Sequence, residues 1–149
     1  MDYITIREAT EQDLPAIKGL MAELIEAASD TGDYDVNTAL ENCRVLLKNA
    51  DSHTLVAEAD GDVIGVVNLD IRRTILHSGL SGLIDEIVVA EGYRGKGVGR
   101  KLIDAAVEKC KLSGCCEIEV STEFTNTKAR SFYKSCGFEE MGVFLERDI

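Results

Sequence analysis

The chain has 149 residues, of which 45% are hydrophobic and 29% are charged, and this suits one domain with a real core over residues 1–149. The formal net charge of −11 argues against nonspecific binding to nucleic acid or to an anionic membrane, because both need positive patches. No apolar run approaches the roughly 20 residues that cross a bilayer, and a signal-peptide pattern is missing, so we expect a cytoplasmic protein. Five cysteines without a C-x-x-C favour buried thiols over disulfides or a zinc site.

The first third of the chain predicts a strand followed by two helices. Residues 3–7 alternate as a strand, and Thr10 with Asp13 forms a capping signal before a helical apolar pattern that runs to residue 28. An acidic loop follows, containing Asp30, Asp33, Tyr34 and Asp35, and a second helix is predicted from residue 36 to residue 47.

The middle of the chain predicts a hairpin and then a buried strand. Residues 54–57 and 63–71 read as strands joined at Asp60-Gly61, a strong hairpin signal. Residues 83–89 form an apolar strand that is interrupted by Asp85 and Glu86. Buried carboxylates are costly unless they are paired or used, so these two are candidates for a functional site. Strand alternation directs them to opposite faces of the sheet unless a bulge intervenes.

A glycine-rich turn links this strand to an amphipathic helix, Val98–Leu112. Glycines let the backbone approach a bulky ligand, and the first turn of a helix presents free N–H groups and partial positive charge. The turn therefore predicts a phosphate-binding cradle. The spacing excludes the dinucleotide fingerprint and the P-loop, and the pattern that fits is Arg94-x-x-Gly97-x-Gly99.

The last third predicts a strand at residues 116–120, a loop, and a short helix capped by Asn126. The apolar face of that helix contains Phe132 and Tyr133, and Gly137 ends it in the left-handed cap position. We expect two short final strands that begin at Phe138, with a turn near residues 141–142.

Two motifs together identify a resemblance. Arg94-x-x-Gly97-x-Gly99 is followed, about 30 residues later, by Asn-x-x-Ala-x-x-Phe-Tyr-x-x-x-Gly-Phe, which starts at Asn126. Both resemble the motifs of the Gcn5-related N-acetyltransferase (GNAT) family, and the resemblance covers essentially the whole chain. It implies an α/β fold in which four helices flank a twisted, mostly antiparallel sheet of six or seven strands. The family's sheet is splayed between its fourth and fifth strands.

The resemblance also implies acetyl-CoA as cosubstrate, with no metal, and transfer of its acetyl group to a primary amine through a tetrahedral intermediate. The splayed strand is expected to offer its backbone to the pantetheine arm, and the glycine turn to hold the pyrophosphate. Carried over to this sequence, the coenzyme-binding residues are Ile87, Val88, Val89, Arg94, Gly95, Lys96, Gly97, Val98, Gly99, Arg100 and Asn126.

The chemistry needs a base for the ammonium group and an acid for the departing thiolate. Asp85 is the first candidate for the base, Glu86 the second, and Glu119 the third by resemblance to some N-terminal acetyltransferases. Tyr133 matches the family's acid, and we favour this role over the alternative in which the residue only packs the helix. Asn126 contacts the coenzyme in the family, although its capping role alone would account for it.

Three alternatives remain open from the sequence. The leading hypothesis is an N-acetyltransferase of a small amine or a peptide amine. A non-catalytic acyl-CoA-binding module of the same fold is the second, and a plain nucleotide-binding domain is the third. The acidic charge suits a cationic acceptor such as a polyamine, an aminoglycoside or a basic peptide, but it also serves solubility. The short C-terminal hairpin suggests a homodimer in which a partner subunit completes the acceptor wall.

Overall fold

The fold is known from a computed structural model that describes residues 3–28 and 32–149. Within these residues the strands are β1 (Ile4–Glu8), β2 (Ser52–Ala59), β3 (Asp62–Arg72), β4 (Leu80–Val89) and β5 (Cys115–Val120). The α-helices are α1 (Leu14–Ala27), α2 (Val36–Leu46), α3 (Val98–Leu112) and α4 (Thr127–Ser135). Each predicted helix is therefore present, and α3 has the predicted bounds. Asp30 of the predicted acidic loop lies outside the described residues.

The five strands form one sheet in the order β1-β2-β3-β4-β5. The first three pairings are antiparallel, and β5 pairs with β4 in parallel. The expectation of six or seven strands is wrong for the described part of the chain. Residues 138–149 form no strand, so the predicted pair of short strands beyond Phe138 is absent. A strand needs a neighbour for its backbone groups, and this segment lies against none.

Local signals explain several chain reversals. The backbone N–H of Thr10 donates to Asp13 Oδ2 at 2.7 Å, which fixes the turn that precedes α1. At the β2–β3 hairpin, Asp60 and Gly61 have φ angles of 51° and 85°, as the tight turn between two twisted strands requires. Asn126 caps α4, because its Oδ1 accepts the Ala129 N–H at 3.0 Å.

The sheet separates two apolar layers. On one face α3 packs through a row of fully buried side chains that includes Leu102 and Ile103, and the aromatic rings of α4 pack against the same layer. On the other face α1 packs through Leu14, Ile17 and Leu20. No helix among the described residues combines the length and the apolar character that a bilayer crossing needs.

Candidate active site

A bulge in β4 sets the geometry of the site. Glu86 lies opposite Asn68 of β3, whereas Ile84 lies opposite Leu69, so Asp85 is an extra residue on its strand. The bulge changes the alternation of the strand: Ile84 packs on the α3 face, and Val88 packs on the α1 face. Glu86, two residues before Val88, therefore faces α1 and α2. Without the bulge it would face α3.

The strands β4 and β5 separate at the same point. Their pairing ends with Ile84 opposite Val120, and no described strand pairs with residues 85–89 on that side. Backbone groups alternate along an antiparallel strand, and Ala90 donates its N–H to Ile64 O at 2.8 Å. Val88 is therefore directed toward β3, while Ile87 and Val89 direct their amides toward the opening. The splayed edge expected between the fourth and fifth strands is present.

The glycine turn leaves open space beside its backbone. Gly95 and Gly97 have φ angles of 74° and 83°, and a Cβ added to either would meet nothing within 4 Å. The first amide of this stretch that is bonded to the chain is Lys101 N–H, which donates to Gly97 O at 3.1 Å. The six preceding amides, of residues 95–100, have no partner among the described residues. This is an arrangement that fits an anionic phosphate group.

Gly99 has a different local role. A Cβ added there would lie 3.1 Å from the ring of Phe132, so the absent side chain permits α4 to pack closely against the first turn of α3. The two sequence motifs are thereby in direct contact. Val98, beside Gly99, is fully buried and anchors the start of the helix in the core.

The three predicted cations of the turn are held by protein groups. Arg94 Nε donates to Val89 O at 2.8 Å, and Arg94 Nη2 lies 3.7 Å from Glu23 Oε1. Arg100 Nη2 donates to Ser135 O at 2.6 Å, and the Lys96 ammonium lies 5.4 Å from the centre of the Tyr93 ring. Arg94 and Arg100 thus tie the turn to β4 and α4, and all three keep positive charge beside the open amides.

A cavity of about 680 Å³ lies between α1, α2 and the sheet. Asp85 and Glu86 both line it, as does Asn126 from the other motif. Its apolar wall comes from α1 and α2. The carboxylates that line the cavity are Asp33, Asp35, Asp85, Glu86 and Glu123, and no lysine, arginine or histidine is among its described lining residues.

The pKa values of both central carboxyl groups lie above their ordinary values. Both side chains reach solvent through the cavity, but protein surrounds them on their other sides. Burial, reinforced by the charges of Asp85 and Asp70, raises the pKa of Glu86 to about 7. Burial and a hydrogen bond with Asp70 raise the pKa of Asp85 to about 6. Glu86 is therefore suited to exchange protons near neutral pH.

Two polar residues of the site were missed from the sequence. Asn68, only 7% exposed, lines the cavity opposite Glu86, and its Oδ1 accepts bonds from Thr54 Oγ1 at 2.9 Å and Ser52 Oγ at 3.2 Å. Asp70, on the same strand, is hydrogen-bonded to Asp85. Alternation along β3 was the only available signal, and it does not reveal which residue of β4 lies opposite.

Tyr133 lies on the other side of the sheet from the carboxylate cavity. It packs against the α3 layer, with ring centres 5.4 Å from Phe132 and 5.9 Å from Phe138. Burial raises the pKa of its hydroxyl above the ordinary value, so the group stays protonated at neutral pH. Tyr133 is not among the residues that line the cavity.

The third candidate base is placed elsewhere. Glu119 belongs to β5, and its Oε2 lies 3.5 Å from Arg72 Nη2, outside the cavity lining.

Asp35 caps α2, since its Oδ2 accepts the Thr38 N–H at 2.8 Å, and this bond holds the pKa of the carboxyl below its usual range. His77 Nε2 lies 3.0 Å from Glu117 Oε1. No group of three or more metal-ligating side chains occurs among the described residues.

Comparison with known proteins identifies the family to which the chain belongs. The family model described as "Acetyltransferase (GNAT) family" matches residues 16–138. The chain therefore belongs to the GNAT family of acetyl-CoA-dependent N-acetyltransferases, which transfer an acetyl group to an amine.

Individual relatives cover nearly the whole chain. "Uncharacterized N-acetyltransferase YhfO" of Bacillus subtilis (strain 168) is 30% identical over 142 residues, which are 95% of this chain and 94% of that protein. Aminoalkylphosphonate N-acetyltransferase of Salmonella typhimurium is 26% identical over 140 residues, 94% of this chain and 88% of that protein. The solved structure of aminoglycoside N-acetyltransferase AAC(6')-Iy in complex with CoA has a TM-score of 0.86 at 24% identity, covering 99% of this chain and 96% of that one, and it shares the fold.

Proposed function

We propose that this protein acetylates a primary amine of a small cationic acceptor, with Glu86 as the base and Tyr133 as the acid. The observation that carries the proposal is the bulge at Asp85. This one extra residue directs Glu86 into the cavity at the point where β4 leaves β5. The base and the open strand edge are therefore neighbours in the sequence and in space.

The acyl donor is assigned to the open edge and the glycine turn. The amides of Ile87 and Val89 suit the amide-rich pantetheine arm, and the unpaired amides of residues 95–100 suit the pyrophosphate. The Val89 N–H is the proposed donor to the thioester oxygen, on which negative charge develops during attack. Arg94 Nε donates to Val89 O at 2.8 Å, and this bond fixes the end of the strand.

The reaction requires three proton transfers, two from the acceptor nitrogen and one to the departing sulfur. A lysine-like ammonium, with a pKa of about 10.4, must lose a proton before its nitrogen attacks the thioester carbon. Glu86, directly or through water, accepts that proton. When the tetrahedral intermediate collapses, the C–S bond breaks and the thiolate takes a proton from the Tyr133 hydroxyl. The acceptor nitrogen gives up its second proton, directly or through water, to the tyrosinate, and this restores the hydroxyl and leaves the neutral amide. Burial, reinforced by the charges of Asp85 and Asp70, keeps the pKa of Glu86 high enough for it to accept the proton near neutral pH.

The cavity wall indicates the charge of the acceptor. Five carboxylates line it, and its described lining has no basic side chain, so a cation is favoured over an acid. Aminoalkylphosphonates, named for one relative, carry an anionic group for which these lining residues supply no basic partner. We therefore place polyamines and aminoglycosides ahead of aminoalkylphosphonates as acceptors.

A thiol-release assay with acetyl-CoA tests this function. The panel contains polyamines, aminoglycosides, amino acids, N-terminal peptides and an aminoalkylphosphonate. We expect turnover with a cationic amine, together with a higher melting temperature in CoA. Thermal stabilisation without thiol release from any amine would favour the non-catalytic acyl-CoA-binding module. Faster turnover of the phosphonate than of every cationic amine would refute the proposed acceptor class.

The acid role has its own test. Tyr133→Phe should lower kcat while leaving the Kd for CoA unchanged, because only the hydroxyl is lost. Tyr3→Phe is the matched control, since Tyr3 is 84% exposed. An unchanged kcat in Tyr133→Phe would remove Tyr133 from the mechanism and leave it a packing role.

A further inference from the structure

The sheet side of the acceptor cavity contains a buried amide, the side chain of Asn68. Among the described residues that line the cavity, only Asn68 and Thr54 have oxygen- or nitrogen-bearing side chains that are buried. The carbonyl oxygen of Asn68 accepts hydrogen bonds from the hydroxyl groups of Thr54 and Ser52. These two bonds occupy both lone-pair positions of the carbonyl and fix the orientation of the amide.

The amide nitrogen of Asn68 is directed into the cavity. Its N–H groups donate to no described residue, whereas no buried side-chain nitrogen or oxygen in the described part of the chain lacks a hydrogen-bond partner. The nitrogen of Asn68 therefore reaches open space, and the open space beside this residue is the cavity. Two N–H donors in a fixed orientation thus await a partner, and a ligand that leaves them unpaired loses binding free energy.

This donor differs in chemistry from the acidic groups around it. The five carboxylates of the cavity wall accept hydrogen bonds when ionised and donate none. They suit the N–H groups of a cationic amine, but they repel a ligand oxygen that carries lone pairs. The N–H groups of Asn68 have the opposite preference, so they suit a hydroxyl or ether oxygen of the acceptor. The wall is thereby matched to a ligand that combines positive charge with an oxygen atom.

The position of Asn68 relative to Glu86 defines where that oxygen lies. The two residues are paired across β3 and β4, and both side chains line the cavity. The Cβ atoms of such a pair are about 4.5–5.5 Å apart. No hydrogen bond joins these two side chains, so each is available to a ligand atom. An amine nitrogen at Glu86 and an oxygen at Asn68 are then close neighbours, as they are in an N–C–C–O unit.

We propose that Asn68 selects acceptors in which two carbons separate an oxygen from the reacting nitrogen, as in amino alcohols and amino sugars. The inference rests on the proposed function, since it takes the cavity as the acceptor site and Glu86 as the base. It places oxygen-bearing amines ahead of polyamines whose chains contain only methylene groups between the nitrogens. A buried donor discriminates in this way because a ligand without the oxygen leaves the donor unpaired.

A matched pair of diamines isolates the contribution of the oxygen. The pair consists of cadaverine and its analogue in which an ether oxygen replaces the central methylene group. Both have two amines and the same chain length, and the ether oxygen only accepts hydrogen bonds. In calorimetric titrations of the native protein saturated with CoA, the ether diamine should bind about three- to tenfold more tightly, the value of one hydrogen bond. Equal or weaker binding of the ether diamine would overturn the proposal.

Two variants test whether Asn68 causes this preference. Asn68→Asp keeps an oxygen for Ser52 and Thr54 but replaces the N–H donors by a second oxygen, so the preference for the ether diamine should vanish or reverse. Asn42→Asp is the matched control, because it adds the same charge to the same cavity from α2 and should keep the preference. Differences in basicity between the diamines cancel when the ratio of their Kd values is compared between proteins. A preference that persists in Asn68→Asp, or that disappears equally in Asn42→Asp, would overturn the proposal. The ratio in the native protein needs no variant, so it remains decisive if Asn68→Asp folds poorly.

Thiol release separates this inference from the proposed function. With acetyl-CoA, the native protein should have a higher kcat/KM for the ether diamine than for cadaverine, and Asn68→Asp should lose this advantage. Turnover of the two diamines with equal kcat/KM would overturn the role of Asn68 and leave acetyl transfer intact. Tighter binding of the ether diamine without thiol release from any amine would refute acetyl transfer and support the role of Asn68 in binding.

Discussion

The two halves of β4 have opposite characters. In the paired half, residues 80–84, the strand lies between β3 and β5, and Ser81 and Ile84 are 0% and 2% exposed. In the open half, residues 85–89, the strand keeps β3 but has left β5, and its first two residues are exposed carboxylates. One extra residue at the junction accounts for both differences. The paired half provides the rigidity that lets the open half leave polar groups unpaired.

The largest expected effect concerns the open half. Glu86→Gln should lower kcat by about 10²- to 10⁴-fold, the usual contribution of a general base, because the amide cannot accept the proton. The Kd for CoA should stay unchanged. Glu119→Gln is the matched control, since Glu119 pairs with Arg72 outside the cavity and its loss should leave kcat nearly intact. Steady-state kinetics with a cationic amine decide the matter; a kcat of Glu86→Gln within twofold of the native value would reassign the base.

In the paired half a substitution should act on stability. A methyl group at Gly82 would overlap Cys110 Sγ on α3, so Gly82→Ala should cost about 1–3 kcal/mol in the free energy of unfolding. Gly19→Ala is the control: a Cβ there meets nothing within 4 Å, and α1 should gain up to about 1 kcal/mol. Urea denaturation measures both, and equal midpoints for the two variants would contradict the tight packing of this half.

Two glycine substitutions, one of them in the glycine turn, can separate the effect of backbone strain on stability from the effect of a side chain on CoA binding. Gly97→Ala and Gly61→Ala place a side chain at nearly the same φ, 83° and 85°, and each should lose about 1–2 kcal/mol of stability. Only the Gly97 variant puts a methyl group beside the open amides, so only its Kd for CoA should rise, by about tenfold or about 1.4 kcal/mol. Calorimetric titration with CoA makes the measurement. Equal affinities for the two variants would argue against this turn as the pyrophosphate site.

The smallest effect is a pH-dependent change in stability. Because the pKa of Glu86 is raised to about 7, the folded protein holds this proton more tightly than the unfolded chain does. The resulting stability is fully present below the ordinary pKa of about 4.5 and is lost as the pH rises through 7. Glu86→Gln should therefore melt like the native protein at pH 5. At pH 8 it should melt about 2–4 °C higher than the native protein. This shift corresponds to about 1 kcal/mol in the free energy of unfolding, after allowance for solvent screening. A Glu86→Gln variant that melts lower than the native protein at pH 8 would contradict the raised pKa.

Local signals predicted much of the fold. Three features contain the residues that fix their own backbone geometry: the glycine turn, the Asp60-Gly61 hairpin and the Asn126 cap. They can therefore be predicted without the rest of the chain. β4 begins at Leu80, three residues before the predicted start, because Ser81 pairs with Arg72 of β3 and this pairing extends the strand.

The bulge and the C-terminal segment could not be predicted in the same way. Whether Asp85 is an extra residue depends on the register of β3, which places Asn68 opposite Glu86, and no single strand contains that information. The same limit concealed Asn68 and Asp70 as members of the site. Residues 138–149 have a strand's pattern, but a pattern becomes a strand only where a neighbour is available.

The pH dependence of kcat/KM tests the central claim most directly, namely that the bulge at Asp85 makes Glu86 the base. In the native enzyme we expect kcat/KM to rise with pH along a limb that reports a group with a pKa of about 7. This limb should be absent from Glu86→Gln. In Asp85→Asn it should persist at lower pH, because a neighbouring negative charge has been removed. A limb that is unchanged in Glu86→Gln and absent from Asp85→Asn would contradict the account.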